Sequence, residues 1–414
     1  MYLPVEKIEQ AHAILKEVVF KTPFEKNLNL SAAYECELYL KREDLQRVRS
    51  YKLRGAFYKM STLEEAARNK GIVCASAGNH AQGVAYACKA LGIEGKIYMP
   101  HTTPAQKVRQ VKMFGADKVS VILTGDTFDR AYKSAMLDCE KHEKTFIHPF
   151  DDEAIIAGQG TVAIEMLEAL QQPLDYIFVP VGGGGLGSGI GSYIKQKFPN
   201  TTIIGVEPAG APAMYQSLQK GMVVNLPHID KFVDGASVQQ VGELTFSICK
   251  QAIREVALVP EGKVCSTILK LYNEEAIVVE PAGALTIAAL DFYRDELKGK
   301  KVACIVSGGN NDIIRMEEIK EKSLLYEGLK HYFLIIFPQR AGALREFLVN
   351  VLGPDDDITR FEYTKKNNRE NGPAIVGIEV KQKEDYEALI KRMNEYQINY
   401  QLVNEQPEIF NLLV

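Results

Sequence analysis

The sequence has no tryptophan, no CxxC cysteine pair and no long apolar or basic run. Apolar runs such as residues 332–337 are far shorter than the roughly 20 residues that a membrane-spanning helix needs. The opening MYLPVEKIEQ carries glutamates and lacks the apolar core of a secretion signal. The formal net charge of -4 argues against nucleic acid or an anionic membrane as the main partner, because both require a clustered positive face. We therefore expect a cytoplasmic protein that binds neither.

The cysteines are odd in number and scattered along the chain. They lie at positions 36, 74, 88, 139, 249, 265 and 304. This pattern predicts reduced, mostly buried thiols rather than a disulfide framework. The seven histidines show no HExxH or other ligand spacing, so we predict no metal site.

Short β-rich segments alternate with helical stretches from residue 38 to residue 306. Such alternation is typical of α/β proteins, in which helices cover both faces of a mostly parallel sheet. Ligands of these sheets bind beyond the carboxyl ends of the strands. Functional residues are therefore expected in the loops that follow the predicted strands.

The pattern changes near residue 325. A strand-like run at 332–337 is followed by a helix, two more strand-like runs and a final helix, which predicts a small βαββα domain. A chain of 414 residues allows two to three domains of about 150 residues each. We predict one domain at 1–325, with a small subdomain at roughly 47–150, and a second domain at 326–414.

The segment SYKLRGA at 50–56 places Lys52 at a predicted helix start. The helix dipole disfavours a cation at this end and so lowers the pKa of the amine. A lysine of this kind is suited to react as an amine or to form a Schiff base. Taken alone, the segment is weak evidence, because most lysines are solvated surface residues.

A second segment, SAGNHAQG at 76–83, directly follows the strand predicted at 72–74. Its small residues allow a ligand to approach the backbone. The polar groups of Ser76, Asn79 and His80 lie at the start of the following helix, where amides attract an anion such as a carboxylate. The alternative is a simple helix start that is capped by Asn79.

Four consecutive glycines follow the apolar strand predicted at 177–181. Their backbone amides can bind a phosphate at a helix N-terminus. The segment also fits GxGxxG at Gly182, Gly184 and Gly187, and Glu207 ends the next strand. On this segment alone, a nicotinamide-dependent oxidoreductase is a competing hypothesis.

Two further segments, EPAGA at 280–284 and SGGN at 307–310, singly indicate no more than turns that begin helices. Together and in this order, the five segments resemble the threonine dehydratases. These belong to the fold-type II (tryptophan synthase β-like) pyridoxal-phosphate enzymes. The resemblance covers roughly residues 5–320, and no single motif carries it.

The resemblance implies a cofactor, pyridoxal 5'-phosphate, and a role for each segment. Lys52 would bind the cofactor covalently and act as the catalytic base. Asn79 would bond the phenolic oxygen, and Ser307 would face the pyridine nitrogen. The phosphate would be bound by Gly182, Gly183, Gly184, Gly185 and Leu186. The substrate carboxylate would lie near Ser76, Ala77, Asn79 and His80.

The resemblance also implies the fold, which is a catalytic region with a two-part parallel or mixed sheet followed by one C-terminal α+β, ACT-like regulatory domain. It implies a homotetramer, with isoleucine as inhibitor and valine opposing it. The effector would bind at the loop PQRAGA at 338–343. The helix after this loop is expected to bury one face, made of Leu344, Phe347, Leu348 and Val351. The alternative is a dimerisation domain without a ligand.

Three residues, Ser307, Ala77 and Ala213, bear on which reaction the resemblance implies. A hydroxyl at Ser307 cannot keep the ring nitrogen protonated as a carboxylate would, which suits β-elimination. Related serine racemases have a serine at the position of Ala77, and alanine cannot transfer a proton, so racemisation is disfavoured. Those enzymes also bind a divalent cation near the position of Glu207. Here Ala213 stands where a carboxylate ligand would be expected.

The leading hypothesis is a threonine ammonia-lyase that converts L-threonine to 2-oxobutanoate and ammonia for isoleucine synthesis. A catabolic dehydratase of L-serine and L-threonine is the nearest alternative, and the regulatory domain argues against it. The nicotinamide oxidoreductase comes from another class. A non-catalytic amino-acid-binding regulator is the fourth, and the intact Lys52 argues against it.

Overall fold

The computed structural model describes residues 1–364, 370–404, 406 and 410. The chain divides into two compact units, at 1–313 and 314–414. The domain boundary that we expect from the sequence, at 325–326, lies inside a helix of the second unit and stays a prediction. Among the described residues, no helix is both long and apolar enough to cross a membrane.

The first unit contains two sheets. Their strands are β1 (Phe24–Lys26), β2 (Glu37–Arg42), β3 (Ile72–Ala75), β4 (Gly95–Met99), β5 (Val119–Leu123), β6 (Thr145–Phe146), β7 (Tyr176–Pro180), β8 (Thr202–Pro208), β9 (Glu255–Val259) and β10 (Lys301–Val306). The larger sheet has the order β1-β2-β10-β7-β8-β9 and is parallel except for the pair β1–β2. The smaller sheet has the order β5-β4-β3-β6 and is parallel throughout.

Fourteen α-helices connect the strands of this unit. They are α1 (Val5–Leu15), α2 (Leu28–Tyr34), α3 (Lys52–Ser61), α4 (Glu65–Lys70), α5 (Asn79–Leu91), α6 (Ala105–Gly115), α7 (Phe128–His142), α8 (Glu153–Leu170), α9 (Gly185–Lys197), α10 (Ala213–Lys220), α11 (Glu243–Ala252), α12 (Glu261–Glu275), α13 (Pro281–Ala288) and α14 (Arg294–Leu297). Because parallel strands need crossover connections, α5 follows β3 and α9 follows β7 at the carboxyl ends of their sheets. The expected α/β architecture is confirmed.

A buried ionic cluster fixes α3, which begins at Lys52. Arg54 donates to both carboxylate oxygens of Glu43 and to both of Glu165, at 2.7–2.8 Å. Lys41 donates to Glu165 at 2.6 Å, so two cations meet two carboxylates. These side chains are almost fully buried, and breaking one side of such a cluster costs roughly 3–5 kcal/mol. The cluster therefore ties α3 to the end of β2 and to α8.

Close helix packing adds a second restraint on α3. A Cβ atom at Gly158 of α8 would lie 2.6 Å from the Cα atom of Gly55 in α3. Only glycine lets the two helix backbones approach to this distance. The position of the Lys52 backbone is thus fixed by charge pairing and by packing together.

The second unit is an antiparallel sheet with helices. Its elements are α15 (Met316–Glu327), β11 (Lys330–Pro338), α16 (Ala343–Asn350), β12 (Asp357–Tyr363), β13 (Asn371–Glu379), α17 (Lys383–Glu395) and β14 (Asn399–Leu402). The strand order is β12-β13-β11-β14. The expected α+β class is confirmed. The predicted pattern βαββα lacks β14, a four-residue strand with polar residues that pairs with β11 at the edge of the described sheet.

The buried face that we expected for α16 is wrong for two of its four residues. Phe347 and Val351 are buried, whereas Leu344 and Leu348 are both 41% exposed. The buried stripe runs from Ala343 through Phe347 to Val351 at a spacing of four residues, which turns the two leucines away from the core.

Candidate functional site

Lys52 is the first residue of α3, and its ammonium group faces the segment after β6. Its Nζ donates a hydrogen bond to the carbonyl oxygen of Pro149 at 2.9 Å. Burial lowers the pKa of Lys52 to about 8, and the charge of Glu280 opposes this shift. The amine therefore titrates far closer to neutrality than a surface lysine, as a reactive amine requires.

The Asn79 side chain connects three of the sequence segments. Its Nδ2 donates to Glu280 Oε1 at 2.6 Å, and its Oδ1 accepts from Asn310 Nδ2 at 2.7 Å. Gly78, not Asn79, occupies the N-cap position of α5, and no side chain caps this helix. The capped-helix alternative for this segment is therefore wrong, because the amide bonds distant residues instead.

His80 and Ser76 lie in the same segment but in different surroundings. The His80 ring is buried, and its Nε2 bonds the carbonyl oxygen of Ile147 at 2.9 Å. Burial lowers the pKa of His80 to about 3, so the ring is neutral and offers no positive charge to a carboxylate. Ser76 Oγ accepts from the amide of Gly78 at 3.3 Å, and the residue is half-buried.

The glycine loop between β7 and α9 has no room for side chains. A Cβ atom at Gly183 would lie 2.2 Å from the Phe150 ring, and one at Gly182 would lie 2.9 Å from the carbonyl oxygen of Ala236. Gly184 caps α9 with a φ of +94°, a conformation that favours glycine. The first amides of α9 have no acceptor within the helix and point out of its N-terminus.

Two residues that the sequence did not indicate support this loop. Thr245 Oγ1 donates to the carbonyl oxygen of Gly183 at 2.6 Å. Asp151 accepts from the amides of Glu243 and Thr245 at the start of α11. No local pattern indicates this contact, since Thr245 is an ordinary helix residue 62 positions from Gly183.

Ser307 lies beside the segment that carries Lys52. The amide of Tyr51 donates to the carbonyl oxygen of Ser307 at 3.2 Å, and Ser50 pairs with Gly308 in an isolated bridge. Ser307 is buried, and its Oγ donates to the carbonyl oxygen of Ala282 at 3.2 Å. The structure thus brings the segments at 50–56, 280–284 and 307–310 together.

Glu207, at the end of β8, is engaged within its own loop. Its two carboxyl oxygens accept from the amides of Met214 and Tyr215, at 2.7 and 2.8 Å. Burial raises the pKa of Glu207 to about 8. This carboxyl therefore stabilises the start of α10. All seven cysteines are free and buried, as expected.

Two family models match the chain. Residues 15–308 match the pyridoxal-phosphate dependent enzyme family. Residues 321–413 match the C-terminal regulatory domain of threonine dehydratase. Among curated relatives, L-threonine dehydratase biosynthetic IlvA from Halalkalibacterium halodurans is 59% identical over 412 residues, which is 100% of this chain and 99% of the relative. The Bacillus subtilis protein of the same name is also 59% identical, over 100% of this chain and 98% of the relative.

Two solved structures have a fold similar to that of this chain. Threonine deaminase isoform 2 from Solanum lycopersicum has a TM-score of 0.74 and 40% identity, covering 78% of this chain and 88% of that chain. Serine racemase from Dictyostelium discoideum has a TM-score of 0.70 and 34% identity, covering 75% and 99%. Elimination and racemisation therefore share one fold, and the residues of the site must distinguish them.

Proposed function

Since the chain belongs to the pyridoxal-phosphate-dependent enzymes, and within them to the biosynthetic threonine dehydratases, we propose that it converts L-threonine to 2-oxobutanoate and ammonia at the site around Lys52. The predicted family is confirmed, and the nicotinamide oxidoreductase hypothesis is wrong. The proposal rests on one observation, which is that the fold brings the segments of Lys52, Asn79 and Ser307 together. Lys52 also bonds Pro149, next to Phe150, which packs against the glycine loop.

The glycine loop fits the phosphate of the cofactor. Gly182, Gly183, Gly184 and Gly185 leave a surface of backbone atoms, and the α9 N-terminus favours negative charge. The side chain of Leu186 is buried, so this residue would offer only its amide. A phosphate bound here would be held by hydrogen bonds to an anion, each of which contributes about 1.5–3 kcal/mol.

The remaining groups fit the aromatic ring of the cofactor. The amine of Lys52 would bind its aldehyde carbon, and an N–H of Asn79 would bond its phenolic oxygen. Ser307 would face the ring nitrogen with a neutral hydroxyl. When bound, pyridoxal phosphate supplies the electron sink for negative charge at the substrate's Cα.

The chain's own residues would then guide elimination. Once the substrate's amine takes its place, the freed amine of Lys52 would remove the Cα proton, and the β-hydroxyl would take up a proton and leave as water. The released enamine would then hydrolyse to 2-oxobutanoate and ammonia. The substrate carboxylate would bind at Ser76 and at the amides between Ala77 and His80, at the start of α5. Ala77 has no proton to deliver to the opposite face, which disfavours racemisation. Because His80 is neutral, the amides rather than a charge would hold the carboxylate.

A dehydratase that prefers L-serine is the second candidate, because one methyl group in a pocket is worth only about 1–3 kcal/mol. The test is the release of 2-oxo acid from L-threonine and from L-serine by the purified, yellow protein. A protein that releases neither product would contradict the proposed function. Faster turnover of L-serine than of L-threonine would make L-serine the preferred substrate.

Replacing Ser307 by aspartate should impair elimination. A carboxylate would favour a protonated ring nitrogen and so promote transamination, and it cannot donate to Ala282 as the hydroxyl does. We expect the elimination rate to fall about tenfold, or ~1.4 kcal/mol in barrier, with a larger share of transamination products. Ser307→Ala is the control, because it loses the same hydrogen bond without adding charge. Equal product ratios in both variants would mean that Ser307 does not face the ring nitrogen.

The second unit has a cavity suited to an amino-acid effector. Its volume is about 300 Å³, and it lies between β11, α16 and the start of β14. Ile335, Phe337 and Phe347 form its apolar wall, while Arg340 and Glu346 pair at its edge at 2.6 and 2.8 Å. We propose that isoleucine binds here as inhibitor and that valine opposes it.

Isoleucine should therefore shift threonine saturation of the full chain. A coupling of roughly 1–3 kcal/mol would raise the half-saturating threonine concentration about 5–150-fold. Arg340→Ala should weaken this response, because Arg340 borders the cavity. Arg360→Ala, in β12 and paired with Glu362, is the control that should keep it. An unchanged saturation curve together with no isoleucine binding by calorimetry would reduce the unit to a structural role.

Assembly and location are proposals of the same kind. We propose a homotetramer in the cytoplasm, and the seven free, buried thiols support a reducing compartment. Light scattering of the purified full chain tests the tetramer.

A further inference from the structure

Glu280 is a buried carboxyl to which the proposed chemistry gives no role. It lies at the N-cap of α13, is 5% exposed, and caps no amide of that helix. Among the described residues, no cation lies within ion-pairing distance of it. Such a group is expensive to bury unless its oxygens are hydrogen-bonded. Groups around Glu280 must therefore offset the free energy that burying its carboxyl costs.

Two donors and two glycines surround this carboxyl. Asn79 Nδ2 donates to Oε1 at 2.6 Å, and the backbone amide of Asn310 also donates to the carboxyl. A Cβ atom at Gly308 would lie 2.2 Å from Oε1, and one at Gly235 would lie 3.2 Å from it. The neighbouring backbone thus leaves space for the carboxyl and surrounds it closely.

The other end of the Asn79 amide is held by Asn310. Asn310 Nδ2 donates both to Asn79 Oδ1, at 2.7 Å, and to the carbonyl oxygen of Val48, at 2.9 Å. A carbonyl oxygen can only accept, so the Asn310 amide group has one allowed orientation. Among the described residues, its Oδ1 has no hydrogen-bond partner although it is buried. Leaving this oxygen unpaired is unfavourable, so the two hydrogen bonds of Nδ2 must outweigh the loss.

Burial raises the pKa of Glu280 to about 7, so its carboxyl exists in both protonation states near neutral pH. In either state an oxygen without a proton accepts the hydrogen bond from Asn79. If the Asn79 amide rotated by half a turn, its oxygen would face Glu280 and its nitrogen would face the donor of Asn310. Two NH₂ groups would then meet at Asn310, and two acceptor oxygens would meet wherever Glu280 is ionised. The orientation of an asparagine amide is normally inferred from its partners, and here both partners require the same one.

We propose that Glu280 and Asn310 are positioning residues that clamp the Asn79 amide so that its second N–H is a permanent donor to the cofactor's phenolic oxygen. An NH₂ group has two hydrogens, and Glu280 accepts one of them. The other hydrogen stabilises the phenolate form of the cofactor. The inference rests on the proposed function, because it requires the cofactor at Lys52.

The test is the absorbance of the bound cofactor. The phenolate form absorbs visible light, and the neutral phenol absorbs in the near ultraviolet. Glu280→Gln replaces one of the two carboxyl oxygens by an NH₂ donor, so one of the two partners that fix the Asn79 amide is weakened. We expect the ratio of visible to near-ultraviolet absorbance to fall about tenfold, as expected for a lost hydrogen bond to a charged group. Release of cofactor on dialysis should also become faster.

A double-mutant cycle separates a clamp from a general structural effect. Asn79→Ala should lower the absorbance ratio by itself, and adding Glu280→Gln to it should change the ratio no further. Glu261→Gln is the control, because its carboxylate accepts the amide of Gly210 instead. It should keep the parent's ratio. Independent, additive shifts, or a parent-like spectrum for Glu280→Gln, would overturn the proposal.

If Glu280→Gln does not fold, Asn310→Ala decides. It removes the other half of the clamp, and a parent-like absorbance ratio in this variant would equally overturn the proposal. Failure of the proposed function would look different. Borohydride would then fix no cofactor on Lys52 of the parent protein, and no variant could show the bands.

Discussion

Replacing Lys52 by alanine is expected to lower threonine turnover by about 10⁴-fold, because in the proposed mechanism one amine is both the covalent attachment point and the base. The fold should survive, since Arg54 and the packing of Gly55 hold α3 independently of the Lys52 side chain. Ammonia and 2-oxo acid release measure the loss. Borohydride reduction of the parent, followed by mass spectrometry, should locate the added mass on Lys52.

Lys59→Ala is the matched control in the same helix. Lys59 Nζ pairs with Asp152 Oδ2 at 2.6 Å and has no part in the proposed chemistry. It should turn over threonine at nearly the parent rate. Substantial ammonia release by purified Lys52→Ala, without any added amine, would mean that another group performs the reaction.

Replacing Gly183 by alanine should sharply weaken cofactor binding. The new methyl group would lie 2.2–2.4 Å from three carbon atoms of the Phe150 ring, so either the ring or the glycine loop must move. Displacement of the loop would misalign the amides proposed to bind the phosphate. Loss of two charge-assisted hydrogen bonds, at about 1.5–3 kcal/mol each, predicts at least about 100-fold weaker binding. Titration of the cofactor-free protein with pyridoxal phosphate measures this.

Gly187 offers the control, because it lies in α9 just after the same loop. A Cβ atom there meets nothing closer than 3.4 Å, and alanine favours a helix over glycine by roughly 0.5–1 kcal/mol. Gly187→Ala should bind the cofactor like the parent and unfold at a slightly higher temperature. Equal affinities for both variants would exclude the loop between β7 and α9 as the phosphate site.

The sequence located the site segments because each depends on local physics. Lys52 begins a helix, and Gly182 directly follows a buried strand, as their neighbours in sequence predict. The carboxyl ends of parallel strands share one edge of a sheet, so the loop after β7 and the segment after β10 lie at the same edge of the larger sheet. Very short elements escaped prediction, because β6 has two residues and β1 has three, too few to show a period.

What the sequence determined by itself is therefore the fold class and the family, and it also singled out Lys52 as the candidate lysine. Helix starts, strand alternation and motif order are all visible along the chain. The tertiary structure alone decided which side chains meet. Asn79 and Glu280 are 201 residues apart, and no local pattern signals their hydrogen bond. Phe150 lies against Gly183, and no local pattern signals this contact either. Whether Asn79 caps its own helix or bonds a distant carboxylate depends on which partner the fold brings within 3 Å, and short-range propensity carries no information about that distance.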